Sequence, residues 1–270
     1  MNTPPTVTTT TLASATDTQT GYAQTLAATN GTTPYSTWSV STGSLPTGLT
    51  LNALSGVISG TVGASATTQT FTVKVLDANS VAGTQSLTIT VAAAPVVTTT
   101  SPLATATDTQ TTYSQTLAAS GGTTPLTWAV TTGSLPTGLT LTSSTGVISG
   151  TLGASAATAT FTVTVTDNHA VTATKSLTIT VNAAPAVTTA SLPSGVHGTA
   201  YTTSTLAASG GTAPLTWTLS SGSLPLGLSL STAGVISGTL NASATTQTFT
   251  VKVTDSNGVA ATKSFTITVT

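Results

Sequence analysis

The sequence predicts an all-β protein: three tandem antiparallel β-sandwiches in line, forming a rod. Three observations carry that prediction. The chain repeats itself: Trp38, Trp128 and Trp217 mark a period of about 90 residues, the size of a self-standing domain rather than of a solenoid repeat. Phe71, Phe161 and Phe249 keep the same step, and Gly56-Val-Ile-Ser-Gly60 returns at 146–150 and 234–238. Within each repeat the apolar residues alternate with polar ones, as a half-buried strand requires. Finally, the chain is rich in Thr, Ser and Gly and has no Glu or Arg, so it lacks much of what stabilises long helices.

Repeat 1 illustrates the elements in order. Thr6-Val-Thr-Thr-Thr-Thr-Leu12 is an uncharged strand. Tyr22 to Leu26 and Trp38 to Val40 read as strands separated by a Gly/Thr/Pro loop. Leu45-Pro-Thr-Gly-Leu49 turns a corner, and Leu49-Thr-Leu51 and Val57-Ile58 bracket a turn. Phe71, Val73 and Val75 alternate with Thr72 and Lys74; Leu87, Ile89 and Val91 alternate with Thr88 and Thr90; Asp77-Ala-Asn-Ser80 joins the two runs as a hairpin. Leu12, Tyr22, Leu26, Trp38, Val40, Leu45, Leu49, Leu51, Ile58 and the alternating apolar residues of the hairpin form the expected core. Thr, β-branched and polar, fills the outward positions. The joints Ala92-Ala-Ala-Pro95 and Asn182-Ala-Ala-Pro185 are short and end in Pro, which makes stiff connections. The expected units are 1–93, 94–183 and 184–270.

Charge excludes several functions. Four Lys against five Asp give a net charge of −1, no footprint for nucleic acid or an anionic membrane surface. The absence of Cys removes disulfides and thiolate metal sites. The longest apolar stretch, Val91 to Val97, is far short of the roughly 20 residues of a spanning helix, so no membrane insertion is expected. No Walker sequence, GxGxxG or HExxH occurs. Asp167 and His169 share one turn with Ser176 nearby in sequence, but repeats 1 and 3 lack the His and no oxyanion device is visible, so no triad is expected.

The strongest block is Gly43-Ser-Leu-Pro-Thr-Gly-Leu-Thr-Leu51, then Gly56-Val-Ile-Ser-Gly-Thr61, then Phe71-Thr-Val-Lys-Val-Leu-Asp77, with Leu135–Leu139 and Leu224–Leu228 completing the pattern in the other repeats. It resembles the bacterial immunoglobulin-like modules also described as dystroglycan-type cadherin-like domains. The resemblance implies an Ig-like sandwich, a place in long surface, secreted or adhesin proteins, and no enzymatic activity.

Of the candidate site residues, the aspartates stand out. Asp77, Asp167 and Asp255 end the same strand in each repeat, and Asp17 and Asp108 precede Tyr22 and Tyr113 by the same step in repeats 1 and 2, where repeat 3 has Val196. An Ig-like topology would let Asp17 meet Asp167, and Asp108 meet Asp255, at the joints. Cadherin-like proteins bind calcium at such places, but Ca²⁺ takes six to eight oxygens and these linkers hold no carboxylate, so no cofactor is expected beyond that weak calcium candidate. The bland alternative is that Asp caps a turn. Lys175 and Lys263 open the last strand of their repeats, where some bacterial Ig-like domains form Lys–Asn isopeptide bonds. Asn30-Gly-Thr32 and Asn241-Ala-Ser243 are glycosylation sequons.

The expected function is non-enzymatic and structural: an extracellular stalk, spacer or filament subunit at a cell surface. Self-association would use the strand Thr6, Val7, Thr8, Thr9, Thr10, Thr11, Leu12 added to a neighbour's sheet. The alternatives are an adhesin gripping a surface glycan or host protein, and a decoration of a phage virion, the latter because Met1-Asn-Thr-Pro-Pro5 is not a secretory signal.

Overall fold

The computed structural model describes residues 3–270; Met1 and Asn2, the first residues of the unit expected over 1–93, lie outside the described residues. Among the described residues there are strands and turns and no helix. In domain 1 the strands are β1 (Thr6–Val7), β2 (Ala15–Thr16), β3 (Tyr22–Thr25), β4 (Ala28–Thr29), β5 (Thr37–Thr42), β6 (Leu49–Leu51), β7 (Val57–Gly60), β8 (Gln69–Leu76), β9 (Ala82–Ile89) and β10 (Val91–Ala92). Two antiparallel sheets, ordered β3-β7-β6 and β5-β8-β9, form the sandwich. Two short pairs close it: β1 with β4, antiparallel, and β10 with β2, parallel. That parallel pair departs from the antiparallel expectation. It arises because the strand leaving the domain lies beside an entry strand running the same way. Domain 2 repeats the arrangement, whereas in domain 3 the parallel pair shrinks to a single bridge, Gly195 with Val269.

The alternation seen in the sequence becomes the core. Phe71, Val73 and Val75 on β8 are buried with Leu87 and Ile89 on β9, opposite Tyr22, Leu49 and Ile58 of the other sheet. Outside, Thr70 and Thr88 face each other across the strands, as do Thr160 with Thr178 and Thr248 with Thr266, with their hydroxyls 2.8, 2.9 and 2.8 Å apart. Such cross-strand pairs contribute a few tenths of a kcal/mol each, up to about 1 kcal/mol. Each domain has its own apolar cluster. Val7, Ala15 and Val62 belong to the first cluster although the alternation did not mark them; Leu12, Val40, Leu45, Leu51 and Val91 are only partly buried against it.

The glycines of the repeated motif have a steric reason. Gly56 has φ +66°, and a Cβ there would lie 2.9 Å from Trp38 Nε1: the turn before β7 leans on the indole edge. Gly48 and Gly60 cross backbone to backbone, and a Cβ on Gly48 would lie 2.0 Å from the carbonyl oxygen of Thr61. Trp38, Trp128 and Trp217 are each buried, as core anchors.

The segment expected to serve self-association is engaged in its own domain. Thr6 and Val7 pair with Thr29 and Ala28, the Thr8 N–H donates to the Ala27 carbonyl, and Thr9 Oγ1 accepts from the Ala27 N–H. Val7 is buried in the core and Leu12 packs against it, so the strand closes domain 1 rather than standing free. The edge strand β5 is blunted as well: its register with β8 shifts between Val40 and Thr42, and the same irregularity recurs at Val130/Thr132 and Leu219/Ser221. A bulge of that kind hinders pairing with another chain.

Each repeat also buries a tyrosine whose hydroxyl donates to a carbonyl upstream: Tyr22 to Ala13, Tyr113 to Ala104 and Tyr201 to Pro193. Burial pushes the Tyr22 and Tyr113 hydroxyls up to about 12. Because the folded state holds the proton more tightly, the stability this gives is fully present below pH 10 and is lost as pH rises towards about 12. Stability measured by urea titration across that window is expected to fall more steeply for the wild type than for the double variant Tyr22→Phe/Tyr113→Phe.

Candidate functional site at the domain joints

The site is built from the turn that follows β8. In all three domains an Asp at the strand end is buried and folds the turn onto itself. Asp77 Oδ1 accepts from the Asn79 and Val81 N–H groups at 2.9 Å each, and Oδ2 accepts from the Thr32 N–H at 3.0 Å. Asp167 does the same with His169, Val171 and Thr123, and Asp255 with Asn257, Val259 and Thr212. One carboxylate thus satisfies three backbone donors and ties the hairpin to the loop after the β4-equivalent strand.

At the joints the preceding domain adds a fourth donor. Thr16 Oγ1 donates to Asp167 Oδ2 at 2.6 Å and lies 2.8 Å from Thr123 Oγ1 and 2.9 Å from His169 Nδ1. At the second joint Thr107 Oγ1 donates to Asp255 Oδ2 at 2.6 Å and sits 2.7 Å from Thr212 Oγ1. Asn257 Nδ2 there donates to Thr107 Oγ1 and to the Thr105 carbonyl, and Asn182 Nδ2 to Thr212 Oγ1. The linkers are fastened too: the Gly122 N–H donates to the Ala93 carbonyl and the Gly211 N–H to the Ala183 carbonyl, both at 2.7 Å. Thr16 and Thr107 have no exposed surface. For Asp167, burial alone would raise the carboxyl pKa, but the bonds from Thr123, Thr16, Val171 and His169 outweigh it and hold it below the usual value. The latch bond is therefore charge-assisted, the stronger kind.

A second turn presents the threonine. In Thr16-Asp-Thr-Gln19, Gln19 Oε1 accepts from the Thr16 N–H, and Thr18 takes a positive φ of 67°. Asp17 turns back within its own domain and accepts from the Ser65 and Ala66 N–H groups at 2.8 and 3.1 Å. Thr107-Asp-Thr-Gln110 repeats this with Asp108 on Ser155 and Ala156. Domain 3 has Gly195-Val-His-Gly198 instead, with Val196 55% exposed.

These contacts correct the pairing expected from the sequence. Thr16 reaches Asp167 and Thr107 reaches Asp255; Asp17 and Asp108 cap turns in their own domains. The carboxylate oxygens are occupied by N–H and O–H donors, and among the described residues no group of three or more His, Cys, Asp or Glu gathers to hold a metal ion. His169 Nδ1 faces Thr16, while Ser176 lies in mid-strand opposite Thr162, so the two do not form a catalytic pair. Lys175 and Lys263 donate to the carbonyls of Val97 and Thr189 rather than meeting an Asn side chain. In the second sequon Asn241 Oδ1 accepts from both the N–H and the hydroxyl of Ser243 on an exposed turn. A shallow groove of about 520 Å³ runs between Trp128–Val130 and Gly133–Leu141 and recurs in domain 3; no ionisable side chain lines it, and its Trp is buried and offers no stacking face. The residues that the sequence reading missed are Thr16, Gln19, Thr107 and Gln110. Their signal was present: Thr-Asp-Thr-Gln is identical in repeats 1 and 2 and missing from repeat 3.

A chain of Ig-like sandwiches with polar, buried joints is thereby defined. The sequence profile of the Putative Ig domain matches residues 4–92, 94–182 and 184–270, and the chain belongs to that family. Among curated proteins none matches it. Among solved structures, the titin I-band fragment I67–I69 is 16% identical, with 100% of each chain covered and a TM-score of 0.43. Drosophila N-cadherin EC1-4 is 15% identical, covering 100% of this chain and 76% of that one, with a TM-score of 0.31. The endo-fucoidan hydrolase MfFcnA4 of glycoside hydrolase family 107 is 20% identical over 99% of this chain, with a TM-score of 0.35; this chain spans only 44% of that enzyme.

Proposed function

We propose that the chain is a non-enzymatic structural rod acting outside the cell, on a cell or virion surface, as a stalk or spacer that holds its ends apart. The observation that carries this is the buried Thr–Asp hydrogen bond at both joints, between residues 151 and 148 positions apart in sequence. A flexible tether needs no such bond; a spacer of fixed length does. The rest of the molecule suits the role. Its surface is largely neutral Thr and Ser, its four Lys and absent Arg leave trypsin-like proteases few sites, and the groove shared by domains 2 and 3 is lined by no ionisable side chain.

Small-angle scattering tests the rod. The wild-type chain is expected to show one elongated shape of about 100–130 Å, from three sandwiches of about 35–45 Å each. In Thr16→Val/Thr107→Val, which keeps side-chain size but removes both hydroxyls, the maximum dimension should spread and the mean shorten, while each domain stays folded. Identical scattering curves for the two proteins would sink the proposal.

A further inference from the structure

We propose that the joint between domains 1 and 2 is tightened when His169 is protonated, while the joint between domains 2 and 3 holds equally on either side of neutral pH. The rod then has one proton-responsive joint and one fixed joint. This rests on reading the Thr–Asp contacts as latches.

Counting hydrogens leads to it. The Thr16 hydroxyl has one hydrogen, and the 2.6 Å bond commits it to Asp167 Oδ2. Its oxygen can then only accept, from Thr123 Oγ1 at 2.8 Å and from His169 Nδ1 at 2.9 Å. In the second joint the residue equivalent to His169 is Asn257, whose Nδ2 is always a donor and reaches Thr107 Oγ1 at 3.0 Å. His169 can copy it only with a hydrogen on Nδ1. The imidazolium always carries one there; the neutral ring carries it in just one of two tautomers. In the other tautomer a nitrogen lone pair faces a hydroxyl oxygen whose hydrogen is already given away. Either the hydrogen turns from the carboxylate to the ring, or the contact opens.

Few charged groups surround the ring. On its own turn His169 has the Asp167 carboxylate, two residues before it. Across the joint it faces neutral Thr16, and the next residue, Asp17, has its carboxylate turned to Ser65 and Ala66. The loop from domain 2 contributes neutral Thr123. His169 is half-buried, with Thr16 of the preceding domain against its Nδ1.

The chain has no Cys, so dye pairs can be placed at will. Ser44→Cys/Ser134→Cys reports on the first joint and Ser134→Cys/Ser223→Cys on the second; all three positions are exposed. Single-molecule energy transfer on the full chain should show the first joint narrowing from about pH 8 to about pH 5, with about a fivefold rise in the ratio of closed to open forms. The second joint should not change. His169→Asn, which installs the residue of the second joint, should abolish the response, and His197→Asn should leave it intact. A first joint indifferent to pH, an equal response at both joints, or a response surviving in His169→Asn overturns the proposal. If Thr16→Val leaves the first joint's spread unchanged, the latch itself is refuted. If Thr16→Val loosens that joint while the wild type ignores pH, the role of His169 alone falls.

Discussion

Asp167→Ala is expected to cost domain 2 about 3–5 kcal/mol and to release the first joint at the same time. The carboxylate accepts from the N–H groups of Thr123, His169 and Val171 and from the hydroxyl of Thr16. Truncation strands those donors in a buried turn, and each unsatisfied donor costs about 1–3 kcal/mol before relaxation and water entry recover part of it. Each domain has a single Trp, so Trp38→Phe/Trp217→Phe leaves Trp128 as a reporter of domain 2 alone, and urea unfolding followed by its fluorescence reads the loss. Asp167→Asn separates the two roles. Its Oδ1 still accepts from His169 and Val171, so the turn should lose less than in the Ala variant, but its amide nitrogen cannot accept from the Thr123 N–H, and the Thr16 hydroxyl loses the charged acceptor it donates to. The Asn variant should therefore keep much of the domain's stability and still loosen the joint. A loss below about 1 kcal/mol for Asp167→Ala would mean that water replaces the carboxylate at little cost and that the turn does not depend on it. Acid should act in the same direction: since the folded state holds this carboxyl below its usual pKa, its contribution is present above the unfolded value of 3.8 and lost as pH falls through the lowered one.

The sandwich was legible in the sequence because its determinants are local. Phe71, Val73 and Val75 announce a strand by alternation, Gly56 and Gly60 announce turns, and three copies of each remove chance. The hairpin Asp was half legible: its capping role follows from its place at a strand end, but the donor from the neighbouring domain does not. Thr16 was invisible for a physical reason. On a chain whose strand faces are covered with Thr, a latch threonine looks like a solvated one; burial by the next domain distinguishes it, and its partner is 151 residues away. Asp17 is the conspicuous residue of this turn because it carries a charge, whereas the structure uses that charge to hold the turn that presents the hydroxyl. Val7 is hard to read for a similar reason. Alone in a run of threonines it shows no apolar alternation, yet it is buried, and Pro5 lies over β9 so closely that a Cβ on Gly83 would meet the Pro5 carbonyl oxygen.

Phe161→Ala should destabilise domain 2 by about 3–5 kcal/mol and leave the stability of domains 1 and 3 unchanged. Phe161 is 1% exposed in the core of domain 2, and truncating such a side chain costs about 3–5 kcal/mol, a large share of the 5–15 kcal/mol that holds a typical domain together. The three apolar clusters share no residue, so the loss has no apolar route into a neighbour. What crosses each joint is a handful of hydrogen bonds. When domain 2 unfolds, Thr16 exchanges Asp167 for water, a change of about 1.5–3 kcal/mol at most for a bond to a charged group. Asp255 keeps its three backbone donors and loses only the hydroxyl of Thr107. Hydrogen exchange should accordingly show domain 2 amides losing protection in Phe161→Ala while those of β8 and β9 and of their domain 3 equivalents keep it. Loss of protection in all three domains together would mean that the joints transmit energy comparable to the cores. Retained protection in the neighbours assigns the two kinds of interaction to separate tasks: apolar burial sets whether each domain is folded, and the Thr–Asp bonds set the angle at which folded domains meet.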